Sequence, residues 1–375
     1  MVNEVCKFLN NKVEKRSVFV WGTSGVGEEV VTQLEKMGIE VVAFIDLEKN
    51  EQQYAGKIVC SFEYAMKQYM APYIILAIAE NPTVYQMLDS YGYEEYDDYL
   101  YFGKLIRINK CHNYLDVCGN KVDGDIDGVE LELSGGSFVK VEKGAKIGKN
   151  VNIICKLCSE VYISKDVRIQ DDVTIMAIEQ SKVVLADKVT IERGTALKAK
   201  KKSKIQIGLS VQDEEENIDY RPNGFSTEIK HGALVLASDR AYVKVGRRIS
   251  IGHGLQLIVT HGTGFCCGDD SVLSYNVNIR GNQGHTIMDL KRHQVQKEKK
   301  DVILGQHVWV GFDVAMLPGT RLKRNCIVGA KSLTNKTYSA NCVIAGSPAK
   351  EVKEKINWDH SAFTSWEEFE HYVDV

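Results

Sequence analysis

Residues 304–334 read LGQHVWVGFDVAMLPGTRLKRNCIVGAKSLT, with an apolar side chain at every sixth position: Leu304, Val310, Met316, Leu322 and Val328. A small or apolar residue follows each of these four places on, at Val308, Val314, Thr320, Cys326 and Ser332. Gly305, Gly311 and Gly329 come one place after three of them. Neither a helix, with its period of about 3.6, nor a flat strand, with a period of about 2, produces this beat. A triangular coil does. Each hexad forms one short side, three sides make a turn of about 18 residues, and turns stack at about the 4.8 Å strand spacing. The i and i+4 side chains fill the interior, and glycine serves the corners.

Working outward, the beat first sounds at Val141, Ile147 and Ile153. After a phase slip it returns at Ile163, Ile169 and Ile175, then at Leu185, Ile191 and Leu197. Residues 200–244 blur it, and the runs KAKKKSK (198–204) and DEEEN (213–217) read as solvated loop charge. It resumes at Val245, Ile251 and Leu257 and at Cys267, Leu273 and Ile279, and a charged insertion over 286–303 separates it from the final run. Residues 106–244 therefore read as an irregular linker with early coils and insertions, and 245–356 as a regular β-helix. The segment Asp123-Gly-Asp-Ile-Asp-Gly128 reads as turns, because it lacks the glutamate spacing of a calcium loop. The tail 357–375, with Trp366, Phe369 and Tyr372, predicts a terminal helix capping the open end of the stack.

The first 105 residues are organised differently. SVFVW (17–21), IEVVAFI (39–45), Lys57–Val59 and YIILAIA (73–79) read as strands, with helices over Glu28–Met37, from Phe62, and over Thr83–Tyr91. Strands alternating with helices imply a parallel α/β sheet. Gly22, Gly25 and Gly27 open the first helix, whose N–H groups suit a phosphate. Asp46 ends the second strand at a spacing compatible with a ribose contact. The glycine order is not G-x-G-x-x-G, so a redox dinucleotide enzyme is not expected. The bland reading is a docking domain with a tight strand–helix turn.

Composition excludes several classes. A net charge of −3 over 375 residues gives no bulk basic character for nucleic acid. No apolar run reaches the length of a membrane span, and the N-terminus has no apolar signal region, so a cytoplasmic location is expected. The 10 cysteines are scattered rather than framed as disulfides, and Cys267 and Cys326 fall on inward positions. Cys155-Lys-Leu-Cys158 is a lone CxxC and no His-x4-His pair occurs, so no metal is expected.

One position departs from the beat. Counting sixes from Cys267 gives Leu273, Ile279 and then His285 in Gly281-Asn-Gln-Gly-His-Thr-Ile. A histidine where an inward aliphatic is due, beside a looped-out insertion, is placed for proton transfer near neutral pH, or simply starts a loop.

Residues 245–358 resemble the hexapeptide-repeat acyltransferases with a left-handed parallel β-helix, in particular the bacterial polysaccharide O-acetyltransferase branch. The resemblance rests on LSYNVNIRGNQGHTIMD (273–289), HVWVGFDVAMLPGTRL (307–322), VGAKSL (328–333) and NCVIAGSPAKEVKEKINW (341–358). It implies an acetyl-CoA-dependent homotrimer with sites between subunits. His285 matches the family's catalytic base and Asp289 an acid of the family, whereas Gln283 stands where the family often has an acid. For acetyl-CoA, it implies Trp309 near the pantetheine arm, Gly329, Ala330 and Lys336 along the groove, and Pro348 and Lys350 near the adenine end. Gly311 is the candidate oxyanion donor. Asn276, Arg280 and Asn282 fall in the matched stretch as candidate acceptor ligands. The front residues resemble the small Rossmann-like domain found before several sugar acyltransferases, which in some relatives binds a nucleotide-linked sugar. The implied function is O-acetylation of a surface polysaccharide or its precursor, with N-acetylation of a nucleotide-linked amino sugar as the alternative.

Overall fold

A computed structural model describes residues 9, 11–36, 38–47, 53–78, 81–103, 105–116, 118–211, 226–296, 300–362 and 365–368. The charged run 213–217 and the tail beyond 368 lie outside them.

The front domain is a six-stranded sheet of β1 (Val18–Trp21), β2 (Val41–Ile45), β3 (Gln53–Tyr54), β4 (Lys57–Cys60), β5 (Tyr73–Leu76) and β6 (Tyr99–Tyr101), in the order β3-β4-β2-β1-β5-β6. All pairs are parallel except β3 with β4. Helices α1 (Gly25–Lys36), α2 (Phe62–Gln68) and α3 (Pro82–Ser90) cover it. Val30, Val31 and Leu34 of α1 pack into one apolar layer. Phe62, Ala65, Val84 and Leu88 of α2 and α3 pack into the other. Both faces are thus buried, which is why the strands read as continuous apolar runs. Ser61 caps α2 by accepting from the Tyr64 amide at 3.1 Å, and Asn81 caps α3 at the Thr83 amide at 3.0 Å.

The rest is one three-sided prism of parallel ladders. The first side runs through strands such as Asn152–Lys156, Thr174–Ile178, Gln256–Thr260 and Asn278–Arg280. The second runs through Glu160–Ile163, Lys182–Leu185 and Val302–Leu304, and the third through Ser250–Ile251, Val272–Leu273 and Trp309–Val310. These ladders fit a left-handed β-helix acyltransferase fold. The interior is an unbroken column of aliphatics in which Ile153, Ile175, Leu197, Leu257, Ile279 and Met316 are fully buried.

The apparent phase slip is itself periodic. In the front coils a residue pairs with the one 22 places on: Ile153 with Ile175, and Ile175 with Leu197. Only in the final run does the step fall to 18, as in Leu304 with Leu322, and then to 16, as in Leu322 with Tyr338. The expectation of 18-residue turns therefore holds only in the first coils of the final run. The difference lies at the corner between the first and second sides. In the wide coils this corner carries two consecutive left-handed residues, Leu157–Cys158, Glu179–Gln180, Lys201–Lys202 and Asp239–Arg240. The flanking sides are correspondingly longer, each holding two inward residues, such as Ile175 and Ala177 followed by Val183 and Leu185.

A serine column backs this corner. Ser159 Oγ accepts from the Ser181 amide at 3.0 Å, Ser181 Oγ from Ser203 at 3.1 Å, and Ser203 Oγ from Ala241 at 3.0 Å, all buried. The turn thereby satisfies an interior N–H that the ladder leaves unpaired.

Three expectations need correction. The prism does not begin afresh at 245: Tyr242–Val245 pairs with Lys204–Ile207 before it and Gly264–Cys267 after it. The aspartate- and glycine-rich segment 123–128 is not a set of turns. It lies within one long strand, Lys121–Ser134, antiparallel to Ile106–Leu115. Gly124 permits this, since a Cβ there would sit 2.0 Å from the Val141 carbonyl oxygen. Residues 357–362 are not helical: Trp358 folds back onto the prism, and among the described residues of the tail only 366–368 are helix.

Candidate active site

The chain leaves the prism at Gly281, after the first-side strand Asn278–Arg280, and rejoins it at Val302 on the second side. Between them stands a short antiparallel hairpin, Ile287–Asp289 with Gln294–Gln296. The excursion starts at the corner that carries the left-handed turns one coil earlier. Asn282 anchors its root: Nδ2 donates to the Thr260 carbonyl at 3.1 Å and to the Thr260 hydroxyl, and Oδ1 accepts from the Gly284 amide at 3.0 Å. His285 follows immediately and is exposed.

Two clefts adjoin this root. One, of about 560 Å³, is lined by residues including Arg280, Asn282, Gln283, Gly284, Lys300 and Pro318. The other, of about 550 Å³, is lined by residues including Lys300, Asp301, Gly319, Arg321 and Lys336. Lys300 and Asn335 belong to both. Asp301 is held from below: its Oδ2 accepts from the Tyr242 hydroxyl at 2.8 Å and its Oδ1 from the Gly264 amide at 2.7 Å. Burial, reinforced by Asp301, pushes the Tyr242 hydroxyl well above its usual range, so it remains a donor.

The structure brings Arg280, Asn282, Lys336 and the His285 loop to one corner and leaves other candidates elsewhere. Asn276 is a left-handed, exposed residue at the corner between the third and first sides. Asp289 closes the hairpin turn: its Oδ1 accepts from the Lys291 and Arg292 amides, both at 3.0 Å. Gly311 cannot be the oxyanion donor, because its N–H already donates to the Val328 carbonyl at 2.7 Å. What Gly311 supplies is room, since a Cβ would lie 2.7 Å from the Ala330 nitrogen.

Trp309, 43% exposed, lies on the third side, across the prism from the His285 corner. Gly329 and exposed Ala330 follow it one coil on, with the Gly329 N–H spent on Ile344 at 2.8 Å. Pro348 and Lys350 are exposed on the hairpin formed by Cys342–Gly346 and Ala349–Glu354.

Sequence reasoning missed the cluster beside Trp309. His307, 3% exposed, stacks on Trp358 at 4.1 Å with planes 7° apart. Its Nδ1 faces Asp270 Oδ2 at 2.8 Å and its Nε2 faces the Trp358 carbonyl at 2.7 Å, while the Trp358 indole N–H donates to the His307 carbonyl at 2.9 Å. The Trp309 ring lies 5.9 Å from that of Trp358. Asp270, His307 and His360 are close enough together to hold a cation. Both His307 nitrogens face oxygen atoms of the fold, Asp270 Oδ2 and the Trp358 carbonyl.

In the front domain, Gly22 stands at the end of β1 with φ +126°, and a Cβ on Gly27 would meet the Gly22 carbonyl oxygen at 2.1 Å. Both glycines are required by the turn itself. The Thr23 hydroxyl donates to Asp46. Gly25 faces the prism: its carbonyl accepts from Gln180 Nε2 at 2.8 Å, and a cavity of about 460 Å³ separates the glycine loop from Lys201, Lys202 and Arg240.

Burial sets the cysteine chemistry. It pushes the Cys155 and Cys158 thiols up to about 12, with Cys155 donating to the Ser159 carbonyl at 3.2 Å. Both side chains pack in apolar layers, Cys155 inside the prism and Cys158 against the front domain.

No family model matches the chain. Among curated proteins, 124 residues are 32% identical to the polysialic acid O-acetyltransferase of Escherichia coli O1:K1 / APEC, covering 33% of this chain and 40% of that protein. A stretch of 134 residues is 31% identical to the galactoside O-acetyltransferase of Lactococcus lactis, covering 33% and 64%. A stretch of 57 residues is 44% identical to a putative lipopolysaccharide biosynthesis O-acetyl transferase of Escherichia coli K12, covering 15% and 29%. The chain thus spans less than two thirds of the length of these relatives. Among solved structures, a polysialic-acid-specific acetyltransferase aligns at TM-score 0.42 and 19% identity, over 66% of this chain and 98% of that one.

The chain's homologues are O-acetyltransferases of the hexapeptide-repeat kind. They are consistent with the bacterial polysaccharide O-acetyltransferase branch of that family, and they support an acyltransferase.

Proposed function

We propose that the chain transfers an acetyl group from acetyl-CoA to a hydroxyl of a bacterial surface polysaccharide or its precursor, with His285 as general base. The observation that carries this reading is the exposed His285 at the root of the only excursion from the first side among the described residues, beside clefts open to solvent. The imidazole takes the hydroxyl proton as the sugar oxygen attacks the thioester carbonyl. The C–S bond then breaks, and the proton passes to the departing thiolate. Holding both substrates at one site replaces any covalent enzyme intermediate.

Trp309, Gly329, Ala330, Pro348 and Lys350 form the proposed acetyl-CoA wall. They share one side of the prism or its terminal hairpin, while His285 stands at the opposite corner. A complete site therefore joins the corner of one copy to the wall of another, which supports a homotrimer.

The test is acetyl transfer from acetyl-CoA to a glycan panel, read by product mass. His285→Ala lowers turnover by roughly 10²–10⁴-fold if it is the base. Turnover equal to wild type would sink that role.

The cavity between the glycine loop and Lys201, Lys202 and Arg240 favours a second reading, in which the front domain holds a nucleotide-linked amino sugar for N-acetylation. Tight binding of a nucleotide-sugar, lost in Lys202→Glu, would favour it over the first.

A further inference from the structure

Several cations on the prism meet an acid one coil away. Lys156 meets Glu132 at 2.6 Å, Lys182 meets Glu160 at 2.7 Å, and Lys230 meets Glu192 at 3.1 Å. Arg247 meets Asp269 at 2.9 Å, and Lys331 meets Asp313 at 3.1 Å. Arg280, Lys300, Arg321 and Lys336 line the two adjoining clefts, and among the described residues no carboxylate lies within 4.0 Å of any of them. The one acid in the lining, Asp301, spends its oxygens on Tyr242 and Gly264. Four like charges gathered without counter-ions repel one another, and a bound anion would relieve that repulsion. Arg280 and Arg321 further offer forked donors suited to a planar carboxylate.

We infer that the acceptor is an anionic glycan whose carboxylate is held by Arg280, Lys300, Arg321 and Lys336 while its hydroxyl meets His285. This rests on the acetyl-transfer reading for the hydroxyl, but not for the binding. The phosphates of CoA share the same chemistry. The acceptor is favoured because the four cations flank the loop of the proposed base, where the acceptor hydroxyl must sit.

The experiment measures binding by the full chain, by calorimetry, of sialic acid and hyaluronan oligomers, of their carboxyl methyl esters, and of CoA. At least one acid oligomer is expected to bind roughly tenfold or more tighter than its ester, and to weaken as salt rises from about 50 to about 300 mM. Arg321→Gln and Lys300→Gln should each weaken it roughly tenfold while leaving CoA affinity within about twofold, and Arg321→Lys should restore part of the loss. Unchanged melting temperatures would show that the exposed variants fold. The inference is overturned if the esters bind as well as the acids, if no acid oligomer binds, or if the variants weaken CoA instead. Selective binding of an acid oligomer without acetyl transfer would overturn the functional reading and leave this one standing.

Discussion

His307 and Asp270 form a buried pair, Nδ1 to Oδ2 at 2.8 Å, and through it the C-terminal return is fastened to the prism. The other His307 nitrogen holds the Trp358 backbone, and the Trp358 ring leans on Trp309. The clasp therefore abuts the proposed acetyl-CoA wall.

Asp270→Asn tests the clasp. Burial works against the Asp270 charge, but His307, His360 and Arg248 outweigh it and hold the carboxyl below its usual range. A depressed carboxylate stabilises the fold above its unfolded value, near pH 4, and that contribution is lost as pH falls through the folded value. The variant is expected to lose about 1–3 kcal/mol at neutral pH, with the gap to wild type narrowing below about pH 4 in urea titrations. A gap constant from pH 7 to pH 3 would show that the pair contributes no such charge.

Ser181→Ala probes the corner column. It deletes the acceptor for the Ser203 amide in a buried place, and an unpaired N–H there costs about 1–3 kcal/mol. Chemical denaturation reads this directly, and Ser181→Thr, which keeps the hydroxyl, separates lost bonding from lost packing.

The six-residue beat of the final run was legible because its inward side chains recur at one spacing. The front coils obey a longer repeat, and their spacing looked like noise because the extra residues sit in one corner. There Glu179 and Gln180 adopt left-handed backbone without glycine, so sequence carried no turn signal. His285 was visible as a break in the beat. The cations around it were not, since Arg280, Arg321 and Lys336 meet only when successive coils stack. The His307 clasp was equally hidden: its partners Asp270 and Trp358 come from the preceding coil and from a segment read as helix.

Gly311→Ala distinguishes a packing glycine from a catalytic amide. With backbone of Ala330 within 3 Å of the new methyl, the coils must part, at a cost of about 1–3 kcal/mol. Melting should fall accordingly. A variant that melts like wild type but loses turnover would instead return Gly311 to the chemistry.

Thiol accessibility checks the interior. Burial raises the Cys155, Cys158 and Cys267 thiols to about 12, so they stay thiols at pH 8. Peptide mapping after iodoacetamide should find them unlabelled until denaturant is added. Rapid native labelling of Cys267 would contradict the closed prism.

The corner of paired left-handed residues turns sequence into distance. Each coil advances the chain by one strand spacing, so Lys200, Ser238, Thr260 and Asn282 are successive rungs on a single edge. The glycine loop of the front domain touches that edge at Gln180 and Lys202, and the His285 excursion leaves it three rungs beyond Lys200, roughly 14 Å away. The edge is a graduated rail: a deletion of one whole rung between the two would bring them closer by one graduation without turning either aside, whereas a deletion of any other length would rotate one of them off it.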